Sequence, residues 1–331
     1  MPGYSRDDEH VILDCYYDGG PIVETGTPWA NYLPGFDLSP VATKHALTIR
    51  SATPNVPCRI NVESLGDYIA RFRGYGLIDT NDDFWVKLQD LEYVNFGGGV
   101  GSSGTIWDSW GESLSSDEKI VCVNQRLVAA DTTTDWFHAL IRISANSDIS
   151  MHHHNMIFDA RNKTGTFYVT WGVDTCGPHY YYNCLFAHGG RGMYAIVNST
   201  LHHYNCAYID ALYAGPILKI SSTCNSYHCA TTLADYPAYQ MTDAGDCIYN
   251  VVPADEYVDY TLDADDNDYH LAAGADCIDA GAEFTDDWDT DIEGTARAGT
   301  WEIGPYIFVP AAGGLRRNRA RAAHGGGHGK G

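Results

Sequence analysis

The sequence predicts an all-β chain wound as a single parallel β-solenoid with about 22–23 residues per coil. A seven-residue segment recurs: Tyr180-Tyr181-Tyr182-Asn183-Cys184-Leu185-Phe186, then His202-His203-Tyr204-Asn205-Cys206-Ala207-Tyr208, then the weaker Asn225-Ser226-Tyr227-His228-Cys229-Ala230-Thr231. The Cys-to-Cys steps are 22 and 23 residues, and an earlier copy, His152-His153-His154-Asn155-Met156-Ile157-Phe158, lies 28 residues before the first. Read down the copies, the columns keep their chemistry: His154, Tyr182, Tyr204 and Tyr227; Asn155, Asn183, Asn205 and His228; Met156, Cys184, Cys206 and Cys229. Within a copy the first, third and fifth positions are bulky or apolar, a period of two that belongs to strands. Capped stripes of helical period are scarce, while Gly, Asn, Asp and Ser punctuate the chain every 8–12 residues.

Taken in order, residues 1–44 form an irregular N-terminal cap with one strand at 11–17. Residues 45–250 form the solenoid. Segments 46–52, 59–63, 68–73 and 84–94 alternate or nearly so, and turn-rich stretches such as 97–104 separate them. Nine or so coils stacked at ~4.8 Å would span ~40 Å and turn each column into a ladder. Asn side chains then satisfy one another along the stack, and small thiols fit where the coil is tight. Residues 251–310 form an acidic closing segment, and residues 311–331 a Gly-rich basic tail, expected to be flexible when free.

The closing segment carries a resemblance. Asp268-Tyr-His-Leu-Ala-Ala-Gly-Ala-Asp-Cys-Ile-Asp-Ala-Gly281, Asp291-Ile-Glu-Gly-Thr-Ala-Arg297 and Trp301-Glu-Ile-Gly-Pro-Tyr-Ile-Phe308 resemble a C-terminal pattern of right-handed parallel β-helix proteins, the pectate-lyase-like superfamily. The pattern reads D-(Y/F)-x-L-x-x-x-S-P-x-I-D-x-G, then D-x-x-G-x-x-R, then D-I-G-x-Y-E. This chain departs from it at Ala275-Asp276, Glu302 and Ile307. The resemblance implies a right-handed coil and, for the assemblies that use it, oligomers that are often trimeric. It does not imply one activity, because the fold serves lyases, hydrolases, bacterial surface proteins and viral spikes.

Charge narrows the classes. The chain carries 20 Lys+Arg against 43 Asp+Glu, net -23. Five of the basic residues fall in the last 16 positions, so residues 1–315 have 15 basic against 43 acidic, net -28. Such a body lacks the electrostatic footprint of a general nucleic-acid binder, and no specific nucleic-acid partner is expected. No run approaches the ~20 apolar residues of a membrane span, and no basic-then-apolar leader is visible at the start. Ten cysteines are read as small buried hydrophobes in a protein made in a reducing host cytoplasm, since their spacings do not form paired C-x-x-C zinc sites.

Candidate site residues follow from the columns. Tyr180, Tyr181, His202 and His203 are expected to offer amphipathic rings to a ligand, a cell-surface polysaccharide or a partner subunit. His152 and His153 stack with them at spacings too long to share one metal ion. Asp263, Asp265 and Asn267 have a D-x-D-x-N spacing able to give oxygens to Ca²⁺, although Asp268 and Gly274 stand where an EF-hand needs Gly and Glu. The plainer reading is a solvated acidic turn, so no cofactor is expected beyond that Ca²⁺. His188, Arg191 and Lys219 are the nearest fragments to a hydrolase pattern of the superfamily, matching neither its order nor its spacing.

With an incomplete catalytic motif and a basic tail suited to docking, the sequence is read as a structural and binding component of a bacteriophage particle: a spike, fibre or capsid decoration. It would be homotrimeric, located in the virion, and attached to other virion proteins through residues 311–331. The alternative is a polysaccharide lyase or glycoside hydrolase of the same superfamily.

Overall fold

Among the described residues, backbone hydrogen bonds join segments from successive repeats, and every strand pair but one is parallel. The computed structural model describes residues 11–15, 47–61, 70–75, 86–96, 104–112, 119–129, 137–144, 150–159, 166–175, 177–187, 191–197, 200–210, 217–218, 223–235, 241–261, 267–284 and 289–310.

Fourteen strands form one large sheet and six a smaller one. The chain visits them in turn: Val86–Phe96 in the large sheet, Gly104–Glu112 in the small, Lys119–Ala129 in the large, Phe137–Ser144 in the small, and so on to Ile217–Leu218. This alternating path through parallel strands is what winding requires. Among the described residues one short helix, Pro253–Glu256, is present. Strands at Val11–Cys15, Leu47–Ser51, Cys58–Asn61, Ala70–Tyr75 and Val86–Phe96 occupy the segments that alternation predicts. The N-terminal strand pairs in register with Leu47–Ser51, so that stretch of the expected cap extends the sheet.

From Ser150 to Tyr227 the register is the one the aligned copies predict; nearer the N-terminus the partners lie farther apart than the expected 22–23 residues, Leu47 pairing with Val86 and Val86 with Ile120. Tyr180 pairs with His152 on one side and His202 on the other, and Leu185 pairs with Ile157 and Ala207. Each repeat bends once within the large sheet, at a non-glycine residue of positive φ: Asp90 (54°), Asn124 (52°), Asn155 (52°), Asn183 (54°), Asn205 (52°), His228 (50°) and Asp246 (53°). Asn and Asp enter this left-handed region more easily than other side-chain-bearing residues because their short polar groups bond locally. The stack stays bonded through the bend: Asn155 N–H donates to Tyr182 O (3.0 Å) and Leu185 N–H to Met156 O (2.7 Å).

Two ladders follow. Asn124 Nδ2 donates to Asp90 Oδ1 (2.8 Å), Asn155 Nδ2 to Asn124 Oδ1 (3.1 Å) and Asn205 Nδ2 to Asn183 Oδ1 (3.1 Å). One residue on, the thiols of Cys184, Cys206 and Cys229 donate to the carbonyls of Tyr182, Tyr204 and Tyr227. All three are fully buried and fill space at the bend, and burial raises the titration of Cys206 and Cys229 well above the ordinary thiol range.

The bend also resets which side chains face the core. Before it, the inward column is Cys122, His153, Tyr181, His203 and Ser226, all 0% exposed. After it, Leu127, Phe158, Phe186, Tyr208 and Thr231 turn inward, and Phe186 stacks on Tyr208 at 5.0 Å.

The described residues between 251 and 308 pack on the outside of this framework. The strands Tyr257–Asp259 and Asp268–Leu271 form the one antiparallel pair. Tyr257, Tyr269, Leu271, Cys277 and Ile303 bury an apolar surface against Ile157, Leu185, Ala207 and Ala230. Burying a leucine such as Leu271 contributes roughly 1.5–3 kcal/mol. Residues 281–284 and 289–304 then lie along the bends as a strap. Ala282 N–H donates to Asn205 Oδ1 (2.9 Å), and Asn205 Nδ2 donates to Ala282 O (2.8 Å). Asn155 Nδ2 reaches Thr290 O (2.9 Å), and Gly294 lies against the Asn55 side chain.

Each element of the closing pattern has a physical role. Tyr269 OH donates to Asp159 (2.8 Å). The Asp291 carboxylate accepts from the N–H groups of Glu293 and Thr295. Buried Arg297 donates to Gly304 O (2.9 Å) and faces Glu302 and the Trp301 ring. Where the pattern has proline, the Asp276 N–H is available, and it donates to buried Glu256, as does Cys277 N–H.

Gly281 is required by close approach: a Cβ there meets the Asn205 side chain and Glu302 O at 2.9 Å. Gly281→Ala is therefore expected to lower the unfolding free energy by ~1–3 kcal/mol. Gly245→Ala, where a Cβ meets nothing within 4 Å, is expected to change it by less than ~0.5 kcal/mol. Denaturant titration of both variants checks this, and equal losses would mean that the strap does not press on Asn205.

Candidate functional site

Alternation in the strands before each bend sends every second residue outward. Ser150–His154, His179–Tyr182, Thr200–Tyr204 and Thr223–Tyr227 thereby present two adjacent columns, His152/Tyr180/His202/Asn225 and His154/Tyr182/Tyr204/Tyr227. His154 is buried at 3% exposure, and the other seven residues are partly exposed.

Ring spacing decides what this face offers. In the first column the centroids lie 4.7 Å (His152–Tyr180) and 5.1 Å (Tyr180–His202) apart. In the second they lie 4.8, 5.1 and 4.9 Å apart from His154 to Tyr227, with planes within 10° of parallel. Rings this close use their faces on one another. Within the ladders the partly exposed rings present their edges to solvent, so a sugar meets ring rims and not flat platforms. Phe284, from the strap, lies edge-on to Tyr182 (5.8 Å) and Tyr204 (5.0 Å) and covers part of the second column.

The face is uncharged near neutral pH. Burial, helped by nearby Lys119, lowers His152 to about 4, and burial lowers His202 as well. Tyr204 is pushed up by burial and by its neighbours Tyr227 and Tyr180. A neutral array of phenols and imidazoles exchanges hydrogen bonds with hydroxyl-rich ligands; it holds no activated nucleophile.

Two of the four rings expected to meet a ligand lie elsewhere. Tyr181 and His203 are 0% exposed and point into the core, because the residue between two outward ones on a strand faces inward. Tyr180 and His202 do face outward, stacked on each other. The buried histidines form a group of their own. Burial, reinforced by neighbouring imidazoles, holds His179 and His203 at about 3 and His153 well below the ordinary range. Among the described residues, neither ring nitrogen of His203 has a hydrogen-bond partner.

Of the catalytic candidates, His188 and Lys219 lie outside the described residues. Arg191 opens the strand Arg191–Val197, pairing there with Tyr168. Asp263 and Asp265 also lie outside the described residues. Asn267 Oδ1 accepts from Thr261 N–H (2.8 Å) and its Nδ2 donates to Thr261 O (3.0 Å), so this amide closes a loop. Among the described residues no three His, Cys, Asp or Glu side chains are grouped to hold a metal ion.

A cluster the sequence reading missed joins His270, Asp268, Glu293 and Tyr306. Asp268 and His270 share a strand face two residues apart; Asp268 binds His270 Nδ1, Glu293 lies 3.3 Å from Nε2, and the Tyr306 ring sits 4.1 Å away. Burial opposes the imidazolium, but the two carboxylates outweigh it and raise the His270 titration. The D-x-H spacing was the available signal, but nothing local announces Glu293.

No protein-family model matches this chain, and a search of curated proteins finds no match.

The buried histidines make a measurable prediction. Unfolded histidine titrates near 6.5. A folded value of about 3 leaves stability intact above 6.5 and removes it as pH falls from there, because only the unfolded chain takes up the proton. Each such histidine steepens the loss by up to ~1.4 kcal/mol per pH unit between pH 6 and 4. His270 has the opposite sign: its contribution is present below 6.5 and fades as pH rises through its raised value. Denaturant titrations from pH 7 to 4.5 are expected to show steep acid destabilisation, with a slope lower by about one proton in His203→Tyr. An unchanged slope would count against a desolvated His203.

Proposed function

We propose that this chain is a right-handed parallel β-helix of the pectate-lyase-like kind. We further propose that it serves as a structural and binding component of a bacteriophage particle, recognising a neutral cell-surface polysaccharide through its ring columns. The observation that carries the reading is the outward double column of His152, Tyr180, His202, Tyr182, Tyr204 and Tyr227, held rigid by mutual stacking and uncharged near neutral pH. Ladders of buried thiols, amides and rings give the stiffness a particle-borne element needs. On this reading the assembly is a homotrimer, and residues 311–331 dock on other virion proteins.

A lyase or hydrolase would need an acid or base free to touch substrate. Partly exposed His270 has both ring nitrogens facing carboxylates, Asp268 and Glu293, an arrangement that favours a latch between the closing hairpin and the strap.

The full chain, screened against bacterial surface polysaccharides, is expected to bind a neutral one. Tyr180→Ala combined with His202→Ala is expected to weaken that binding about tenfold at unchanged thermal stability. The protein is expected in purified particles, and deletion of residues 311–331 is expected to abolish its incorporation. Release of reducing ends or of unsaturated products, or full incorporation of the truncated chain, would overturn the corresponding part of the reading.

A further inference from the structure

The second ring column stops abruptly. Tyr204 stacks on Tyr227 at 4.9 Å with planes 10° apart, so the lower face of Tyr227 is covered. The next strand, Thr242–Gly245, places Gly245 in register with Tyr227. Glycine supplies no ring, and a Cβ built there meets nothing within 4 Å. Phe284, which lies against Tyr182 and Tyr204, makes no ring contact with Tyr227 among the described residues. Among the described residues, Tyr182 and Tyr204 each have a ring on both faces, and Tyr227 has one.

The rim of this step is polar and fixed. A register shift between Ser226 and Tyr227 makes Ala244 an extra residue in the strand, a bulge that re-aims its neighbours. Asp243, exposed, accepts from Gly245 N–H through Oδ1 (3.0 Å) and from the Tyr249 hydroxyl through Oδ2 (2.7 Å). Its carboxylate is held in place while each oxygen keeps acceptor capacity. Asp246, also exposed, lies at the adjoining bend.

We propose that the Tyr227–Gly245 step is a subsite for a single neutral hexopyranose ring, the C–H face of the sugar stacking on Tyr227 and its hydroxyls donating to Asp243. The inference deepens the glycan-binding reading above and rests on it. Flat apolar surface beside fixed acceptors fits a pyranose, which carries an apolar face and a hydroxyl rim. Two exposed carboxylates disfavour anionic sugars by like-charge repulsion. Because Tyr182 and Tyr204 are sandwiched between rings, Tyr227 is where this column can stack on a ligand.

The test titrates the full chain with cellotetraose, maltotetraose and oligogalacturonate, followed by saturation-transfer NMR and tyrosine fluorescence. At least one neutral tetrasaccharide is expected to bind, and oligogalacturonate at least about tenfold more weakly. Tyr227→Ala is expected to weaken binding about five- to tenfold. Gly245→Tyr, which completes the column with a protein ring, is expected to abolish it without lowering the melting temperature. Neutral-sugar binding unaffected by either variant but lost in Tyr180→Ala/His202→Ala would overturn the subsite and leave the glycan reading standing. Binding of oligogalacturonate as tightly as the neutral sugars, or no binding of any probe, would overturn the subsite as well. The polysaccharide screen above then judges the wider reading separately.

Discussion

One backbone constraint governs this architecture: in every repeat the chain must turn at a side-chain-bearing residue held at positive φ. The penalty for that conformation is of the order of 1 kcal/mol per residue, and Asn and Asp reduce it because their side chains bond locally. Once Asn124, Asn155, Asn183 and Asn205 are so placed, their amides lie one above another, and each can serve its neighbour or the strap. The thiol column, the inward aromatic column and the outward ring face all take their direction from this bend.

The same stacking that orders the rings determines their chemistry. Piling His153, His179 and His203 among Tyr181, Phe186 and Tyr208 leaves them too dry to carry a proton near neutrality. Outside, the rings cover one another, so the face exposes mainly ring edges and keeps its π-surfaces to itself except where a column ends. The interior sulfurs are likewise packing elements, with Cys184, Cys206 and Cys229 all free thiols.

Much of this was legible in the sequence. The 22- and 23-residue spacing sets which residues sit over which, and Tyr180 does lie between His152 and His202. The inward or outward sense of a given ring was not, because alternation gives a period without an origin. The origin is set by the φ of Asn183 and its equivalents, so Tyr181 and His203 lie in the core although they resemble their exposed neighbours. Pairings that join distant segments were hidden for another reason. Asn155 with Thr290 and His270 with Glu293 depend on the path of residues 251–308, which no local pattern encodes. Asp263, Asp265, His188 and Lys219 lie outside the described residues.

The strap has a consequence for how this protein comes to exist. A repeat stack held only by nearest neighbours can grow from either end and fray piecemeal. Here Gly294 touches Asn55, Thr290 touches Asn155 and Ala282 touches Asn205, so one segment stitches early and late repeats into a single cooperative body. Such contacts span up to some 240 positions, the kind of separation that slows acquisition of the native state. On the ribosome the nascent stack would wait, its bend amides unsealed, until residues 281–304 emerge and lock it lengthwise.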